Sequence, residues 1–363
     1  MRLIRLLQDI KSQPIDAILI TNETNVRYLT GFTGDSSWLL VSQDDTVIMS
    51  DRRYETQIAK QCPDLLAAIR PPDQKLTELL TEVILEKPFQ QIGFEADHVS
   101  IATLGTWQQS SPNITWTSTN DVVETLRSIK DDEELATIRR AISIAERAFI
   151  SATNRMHPRM TERELALEIE VVMRQIGASA VGFDPIVGAH PNGALPHYQP
   201  GDVALGDCPT LLIDWGARVD GYCSDLTRTL HRASAPDPSM KRFADAYQAV
   251  LESQQAAIDV IRDGIDACEV DAAARQYLDR AGLGEAFKHG LGHGFGLQIH
   301  ESPRLSPMST GPLKSGMVIT VEPGVYFEGE FGIRIEDDIV VTDTGCEVLS
   351  SLPKGLEDCR LLM

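Results

Sequence analysis

The chain has 363 residues, a length that favours two domains over one, and its 42% hydrophobic residues never form an unbroken run long enough to span a membrane. A formal net charge of −20 argues against nucleic acid or an anionic membrane as a partner. The opening segment, residues 1–10, becomes charged before any signal-like apolar stretch develops, and the six cysteines are scattered with no Cys-x-x-Cys pair, so a soluble, cytoplasmic protein with reduced thiols is expected.

Along the chain, 15–20, 38–41 and 46–49 carry the β-branched and apolar runs of strands, the last one following an Asp44-Asp45 turn. Helical periodicity over 76–86 is stopped by Pro88, and 91–94 resumes as a strand. These alternations predict an α/β N-terminal domain over residues 1–125 with its own core. From Asp131 the texture changes. Asp131, Asp132, Glu133 and Glu134 load the first turn of a helix running to about Ala152, where the positive end of the macrodipole favours acids. Thr161-Glu162-Arg163-Glu164 is a capping box that opens a second helix. Strand-like segments follow Gly177, then helices near 241–261 and 270–283, then strands again, all within a second domain over residues 126–363.

Two stretches of that domain, 210–230 and 318–341, echo each other as β-arms around a glycine-containing turn, each arm with one carboxylate. In the first, Asp220-Gly221 suits a two-residue type I′ turn. Val219 then faces Tyr222, Asp214 faces Thr227 and Asp225 faces Gly216. Because side chains alternate with period two, Asp214 and Asp225 share one face as diagonal neighbours roughly 7–8 Å apart, close enough to share metal. In the second, a turn centred on Gly329 sets Glu322 opposite Glu336, with Pro323 leaving room for a bulge. Such a cluster of inward carboxylates repels itself unless it binds cations or takes up protons.

Between the hairpins lies His289-Gly290-Leu291-Gly292-His293-Gly294, continuing to His300-Glu301. Glycines around His293 allow the backbone close to a crowded centre. One imidazole with four carboxylates suits hard or borderline ions such as Mn²⁺, Co²⁺, Fe²⁺ or Zn²⁺, and an oxygen-rich site of this kind supports two-metal hydrolysis with a bridging hydroxide as nucleophile. Each element alone has a plainer explanation, a solvated hairpin acid or a glycine-rich loop; it is their coincidence that points to chemistry.

The runs Ile213-Asp214-Trp215-Gly216 and Asp220-Gly221-Tyr222-Cys223-Ser224-Asp225-Leu226-Thr227-Arg228-Thr229 resemble those of the prolidases (Xaa-Pro dipeptidases) and aminopeptidase P. So do Gly292-His293-Gly294, His300-Glu301, Val321-Glu322-Pro323-Gly324 and Gly332-Ile333-Arg334-Ile335-Glu336-Asp337. Phe183-Asp184-Pro185-Ile186-Val187, Asn192 and Leu195-Pro196-His197-Tyr198 extend the likeness, and Asn25–Phe32 with Asp51-Arg52-Arg53-Tyr54 carry it into the first domain.

The resemblance implies a creatinase-like α/β N-terminal domain followed by an α+β pita-bread catalytic domain of two pseudo-symmetric halves. It implies two divalent ions, Mn²⁺ first with Co²⁺ or Zn²⁺ as alternatives, held by Asp214, Asp225, His293, Glu322 and Glu336, with Asp225 and Glu336 bridging. Glu322 is also the expected proton shuttle, and His197 and His300 are expected to bond the substrate and its developing oxyanion. Arg334 is expected to orient Glu336 or meet a substrate carboxylate. A capped surface imidazole is the plainer alternative for His300, a loop residue for His197 and a salt-bridge partner for Arg334. Tyr28 and Tyr54 fit a pocket wall less well than ordinary packing. The implied substrates are short peptides with proline second, the implied assembly a homodimer. Dipeptidase and aminopeptidase P stay open, since the first needs a cation for the proline carboxylate and the second needs room beyond proline. A methionine-aminopeptidase-like enzyme and a catalytically silent peptide-binding relative are the alternatives outside those two.

Overall fold

The apolar runs of the first 127 residues form a six-stranded mixed sheet: β1 (Ala17–Ile20), β2 (Trp38–Ser42), β3 (Thr46–Asp51), β4 (Leu66–Arg70), β5 (Gln91–Glu95) and β6 (Thr115–Thr119), in the order β4-β3-β2-β1-β5-β6. The computed structural model describes residues 2–232 and 238–361, which divide between Arg127 and Ser128 into two units. β5 runs parallel to β1 and β6, as strands joined through helices do. The connecting helices are α1 (Arg2–Ile10), α2 (Glu23–Thr30), α3 (Glu55–Gln61), α4 (Leu76–Leu85), α5 (Ile101–Ser110) and α6 (Val122–Ser128). Leu19, Leu40, Met49, Ile92, Phe94 and Trp107 fill the core between them. β1 starts two residues later than its apolar run because the Asp16 carboxylate accepts from Gln90 N (2.7 Å) and Gln91 N (2.8 Å), making that end a clamp. Tyr28 is packing, as its plainer reading has it: it is buried and its hydroxyl donates to Leu126 O at 3.0 Å.

The second unit opens on α7 (Asp132–Thr153) and α8 (Glu162–Gln175), each started by the reciprocal cap its sequence announces, Asp131 with Glu134 and Thr161 with Glu164. Then come β7 (Ala180–Val181), β8 (Ile186–Ala189), β9 (Thr210–Trp215), β10 (Ala217–Val219), β11 (Tyr222–Cys223) and β12 (Leu226–His231). Asp220 (φ 47°) and Gly221 (φ 89°) make the type I′ turn, Val219 faces Tyr222, and Asp214 faces Thr227. The ladder is interrupted where Asp225 was expected to face Gly216. Gly216 O instead accepts from Gly182 N at 2.7 Å, and a Cβ on Gly216 would stand 1.9 Å from Ser224 O. The hairpin therefore serves two sheets, β11-β10-β7 and β12-β9-β8.

After α9 (Pro238–Ile258) and α10 (Ala267–Arg280) come β13 (Gly292–Gly294), β14 (Glu301–Leu305), β15 (Val318–Val321), β16 (Gly324–Phe327), β17 (Phe331–Arg334), β18 (Asp337–Val341) and β19 (Cys346–Val348). α10 begins and ends three residues before its expected place, since Gly282 (φ 74°) and the turn before it already close it. Gly324 faces Arg334 and Val321 faces Asp337, the register that a turn centred on Gly329 (φ 74°) dictates. Between those pairs the strands part without gaining a residue, so there is no bulge. Glu322 N donates to Leu291 O (2.9 Å) and Glu336 N to Thr227 O (3.2 Å), while Pro323 has no N–H to give. β16 and β17 leave as a separate ribbon, and the remaining sheet runs β14-β13-β15-β18-β19. A helix-covered core with the stacked pair Phe149 and Trp215, 4.3 Å between centroids, backs both hairpins. Among the described residues no helix is long and apolar enough to cross a membrane.

Candidate metal centre

The splayed strand ends bring distant acids together. Asp214 lies on β9, Asp225 just before β12, Glu322 just after β15 and Glu336 just before β18. Oxygens of Asp214, Asp225 and Glu336 all lie within 4.8 Å of one another. His293, on β13, places Nε2 3.6 Å from Asp225 Oδ2 and 3.4 Å from Glu322 Oε1. Gly292 makes this approach feasible, because a Cβ there would sit 2.2 Å from Thr320 O. The five side chains expected as ligands thus converge on one centre.

Their electrostatics show how strongly the carboxylates act on one another. Burial, then the charges of Glu336, Asp214 and Glu322, push the Asp225 carboxyl well above its ordinary range. Burial followed by Glu322 and Asp214 does the same to Glu336, and burial lifts Glu322 to about 7. Asp214 is raised by burial although the Arg334 guanidinium pulls the other way. Among the described residues, the buried Asp214 Oδ1 has no hydrogen-bond partner. His293 Nδ1 donates to Gly294 O at 3.1 Å, which leaves the Nε2 lone pair facing the carboxylates. Burial holds that ring's pKa down, to about 4, so it is neutral and able to ligate. An orphaned oxygen, crowded acids and an aimed imidazole nitrogen fit hard or borderline divalent cations.

Behind the acids sits Arg334, buried and fully engaged. Its Nη2 donates to Asp214 Oδ2, its Nε to Thr227 Oγ1 at 3.1 Å and its Nη1 to the Tyr326 hydroxyl at 2.7 Å. Thr227 in turn donates to Glu336 Oε2 at 2.6 Å. Arg334 therefore reaches Glu336 only through Thr227, and its direct carboxylate partner is Asp214. Because arginine only donates, the Tyr326 oxygen accepts from it and the phenol proton goes to His289 Nε2, 2.9 Å away. His289 Nδ1 then donates to Gly290 O at 2.7 Å. Burial, then Arg334, brings His289 to about 4 and keeps it neutral. Sequence reasoning gave no role to His289 or Tyr326. The one available signal was the spacing of His289 four residues before His293.

A cavity of about 800 Å³ opens over the centre. His197 and His300 both line it and are exposed, and the His300 ring lies 4.3 Å from that of His293 at 70°. Phe183, Pro185, Ile186, Pro196 and Ile299 give it apolar walls. Arg304, opposite His293 in the β13–β14 ladder, also faces the cavity, and among the described residues it has no hydrogen-bond or ion-pair partner. Sequence reasoning asked for such a cation without finding it, because nothing in the β14 run marks which side chain faces inward.

Residues 136–343 match metallopeptidase family M24 and residues 2–129 match the creatinase/prolidase N-terminal domain. The chain belongs to metallopeptidase family M24, and it is a metallopeptidase. It is 35% identical over 342 residues to an uncharacterized peptidase of Bacillus subtilis, covering 94% of this chain and 95% of that one. Among solved structures it is similar to the Xaa-Pro dipeptidase from Bacillus anthracis, with a TM-score of 0.92, 35% identity and 98% of each chain covered. It is likewise similar to the X-Pro aminopeptidase from Thermotoga maritima (TM-score 0.88, 33% identity, 98% and 99% covered) and to the prolidase from Pyrococcus horikoshii (TM-score 0.88, 30% identity, 98% and 99% covered). The fold is accordingly the one the motifs imply, a creatinase-type α/β domain and an α+β pita-bread catalytic domain.

Proposed function

We propose that this metallopeptidase uses two divalent ions, Mn²⁺ foremost, to hydrolyse the bond between an N-terminal residue and proline, with Xaa-Pro dipeptides as its preferred substrates. The observation that carries the reading is the convergence of Asp214, Asp225, His293 and Glu336 with Glu322 beneath one cavity, with a buried Asp214 oxygen unpartnered. Those five side chains would hold the ions. When bound, the ions supply a water activated near neutral pH and polarise the scissile carbonyl.

The protein's own groups do the rest. Glu322, half-buried and steadied by the Thr320 hydroxyl at 3.2 Å, faces the cavity as the carboxylate that takes and returns a proton. His197 and His300 donate to the carbonyl oxygen as charge develops on it. Arg334 favours the ionised form of Asp214 against the burial that raises it and, through Thr227, fixes Glu336. An Xaa-Pro bond has no N–H for the enzyme to grip, so recognition rests on the rigid proline ring and on the group attached to its carbonyl. The apolar walls suit the ring, and the unpartnered Arg304 suits a free proline carboxylate, which favours the dipeptidase. An aminopeptidase P activity is the second reading, supported by the size of the cavity and by the Thermotoga maritima relative.

The test is hydrolysis of Xaa-Pro dipeptides beside Xaa-Pro-Yaa tripeptides by chelated protein reloaded with Mn²⁺, Co²⁺ or Zn²⁺. Preference for dipeptides with Mn²⁺ supports the proposal, preference for tripeptides moves it to aminopeptidase P, and cleavage only of peptides lacking proline rejects it. A cytoplasmic homodimer belongs to the same proposal, and light scattering reads the assembly directly.

A further inference from the structure

We propose that Glu162 is a positioning residue that fixes the loop carrying His197 and so sets one wall of the cavity, an inference that rests on the peptidase site described above. Glu162 is the first residue of α8, where an acid ordinarily sits exposed and favours the helix dipole. Here it is fully buried, with 0% of its surface exposed. Its carboxylate accepts four hydrogen bonds: Oε1 from Ala189 N (2.7 Å) and Asn192 Nδ2 (2.8 Å), Oε2 from the Tyr198 hydroxyl (2.8 Å) and Gly201 N (3.0 Å). The donors stretch from the end of β8 to a point beyond His197, so one side chain gathers the whole connection. Asn192 Nδ2 also donates to the Tyr198 oxygen at 2.9 Å. The exit of the loop is tied to the same helix start, by Arg163 N to Gly201 O (3.0 Å) and Glu162 N to Val203 O (3.1 Å).

His197 needs such a support. Among the described residues its ring makes no hydrogen bond, so its aim is set by the backbone on either side. On one side Pro196 O accepts from Arg334 Nη1 at 3.4 Å; on the other stands Tyr198, held by Glu162. Burying a carboxylate is costly unless donors surround it, and these four do so. A glutamine cannot replace it, because its amide group would turn N–H toward N–H at one end of the cluster.

A double-mutant cycle on metal-loaded enzyme tests the proposal with an Xaa-Pro dipeptide, using wild type, Glu162→Gln, His197→Ala and the double variant, with bound metal measured in each. Glu162→Gln is expected to lower kcat/KM on the order of tenfold to a hundredfold at unchanged metal content. When His197 is already alanine, the same change is expected to matter by only about twofold or less. Hydrogen exchange at the amides of 189–201 should rise in Glu162→Gln while that of α7 and the β9–β12 hairpin holds. Should Glu162→Gln not fold, Asn192→Ala takes its place, since it cuts two bonds of the cluster from outside the cavity lining. Wild-type kcat/KM in the variant overturns the proposal, as do a loss that adds in full to that of His197→Ala and exchange that rises throughout the unit. A wild type inert on every Xaa-Pro substrate refutes the functional reading instead, and the exchange measurement still decides whether Glu162 holds the loop.

Discussion

Arg304→Met takes away the guanidinium on the cavity while leaving a side chain of similar reach, and among the described residues no hydrogen bond or ion pair is lost with it. A hydrogen bond to a charged group contributes about 1.5–3 kcal/mol. Arg304 is exposed, so screening places its pairing with a substrate carboxylate near the lower bound. About 1.5 kcal/mol corresponds to roughly a tenfold loss of kcat/KM. The loss should appear in KM, because the carboxylate is gripped equally before and during bond cleavage. The assay compares an Xaa-Pro dipeptide with the same dipeptide amidated at its C-terminus, both on the pH plateau. The acid should lose roughly tenfold and the amide change by about twofold at most. After burial, the Arg304 charge is the next cause holding His300 low, so in the variant the His300 imidazole should titrate higher, a shift read by histidine NMR. Equal losses on acid and amide, or none on either, would refute the assignment.

Thr227→Val keeps the β-branched shape but strips the hydroxyl that joins Arg334 to Glu336, leaving buried Nε and Oε2 unsatisfied; denaturation of the chelated protein should show a loss of about 2 kcal/mol. Gly292→Ala drives a Cβ against Thr320 O, and displacement of His293 should weaken metal binding on the order of tenfold by competition titration. In the first unit, the Asp51 carboxyl is held at about 2, below its ordinary 3.8, chiefly by its bond from Arg53. A depressed folded pKa contributes stability that is present above pH 3.8 and lost as pH falls through about 2, so the stability gap between wild type and Asp51→Asn should close over that window and stay flat at neutral pH. A gap that widens toward acid runs against the sign.

Much of the centre was legible in the sequence because its arms are hairpins with strong turn signals. Asp220-Gly221 and Gly329 dictate the registers, and the registers carry Asp214 and Thr227, or Val321 and Asp337, to their partners. The departures lie where a strand leaves one neighbour for another. Nothing local to Glu322 announces that its N–H belongs to Leu291, or that Glu336 belongs to Thr227, since those partners come from strands remote in sequence. Arg334 was visible as a candidate, yet its true carboxylate partner sits on the other hairpin. Glu162 was harder still. Its position in a capping box reads as an exposed first-turn acid, and only the return of the 189–201 segment over the helix start buries it.

Metal occupancy is the most direct measurement of the central claim. Crystals soaked in Mn²⁺, read by anomalous scattering and paired with elemental analysis of the same protein in solution, should give two ions per chain ligated by Asp214, Asp225, His293, Glu322 and Glu336, with Asp225→Asn losing both ions and turnover. A single ion elsewhere, or an Asp225→Asn enzyme that keeps its metal and its rate, would contradict the account.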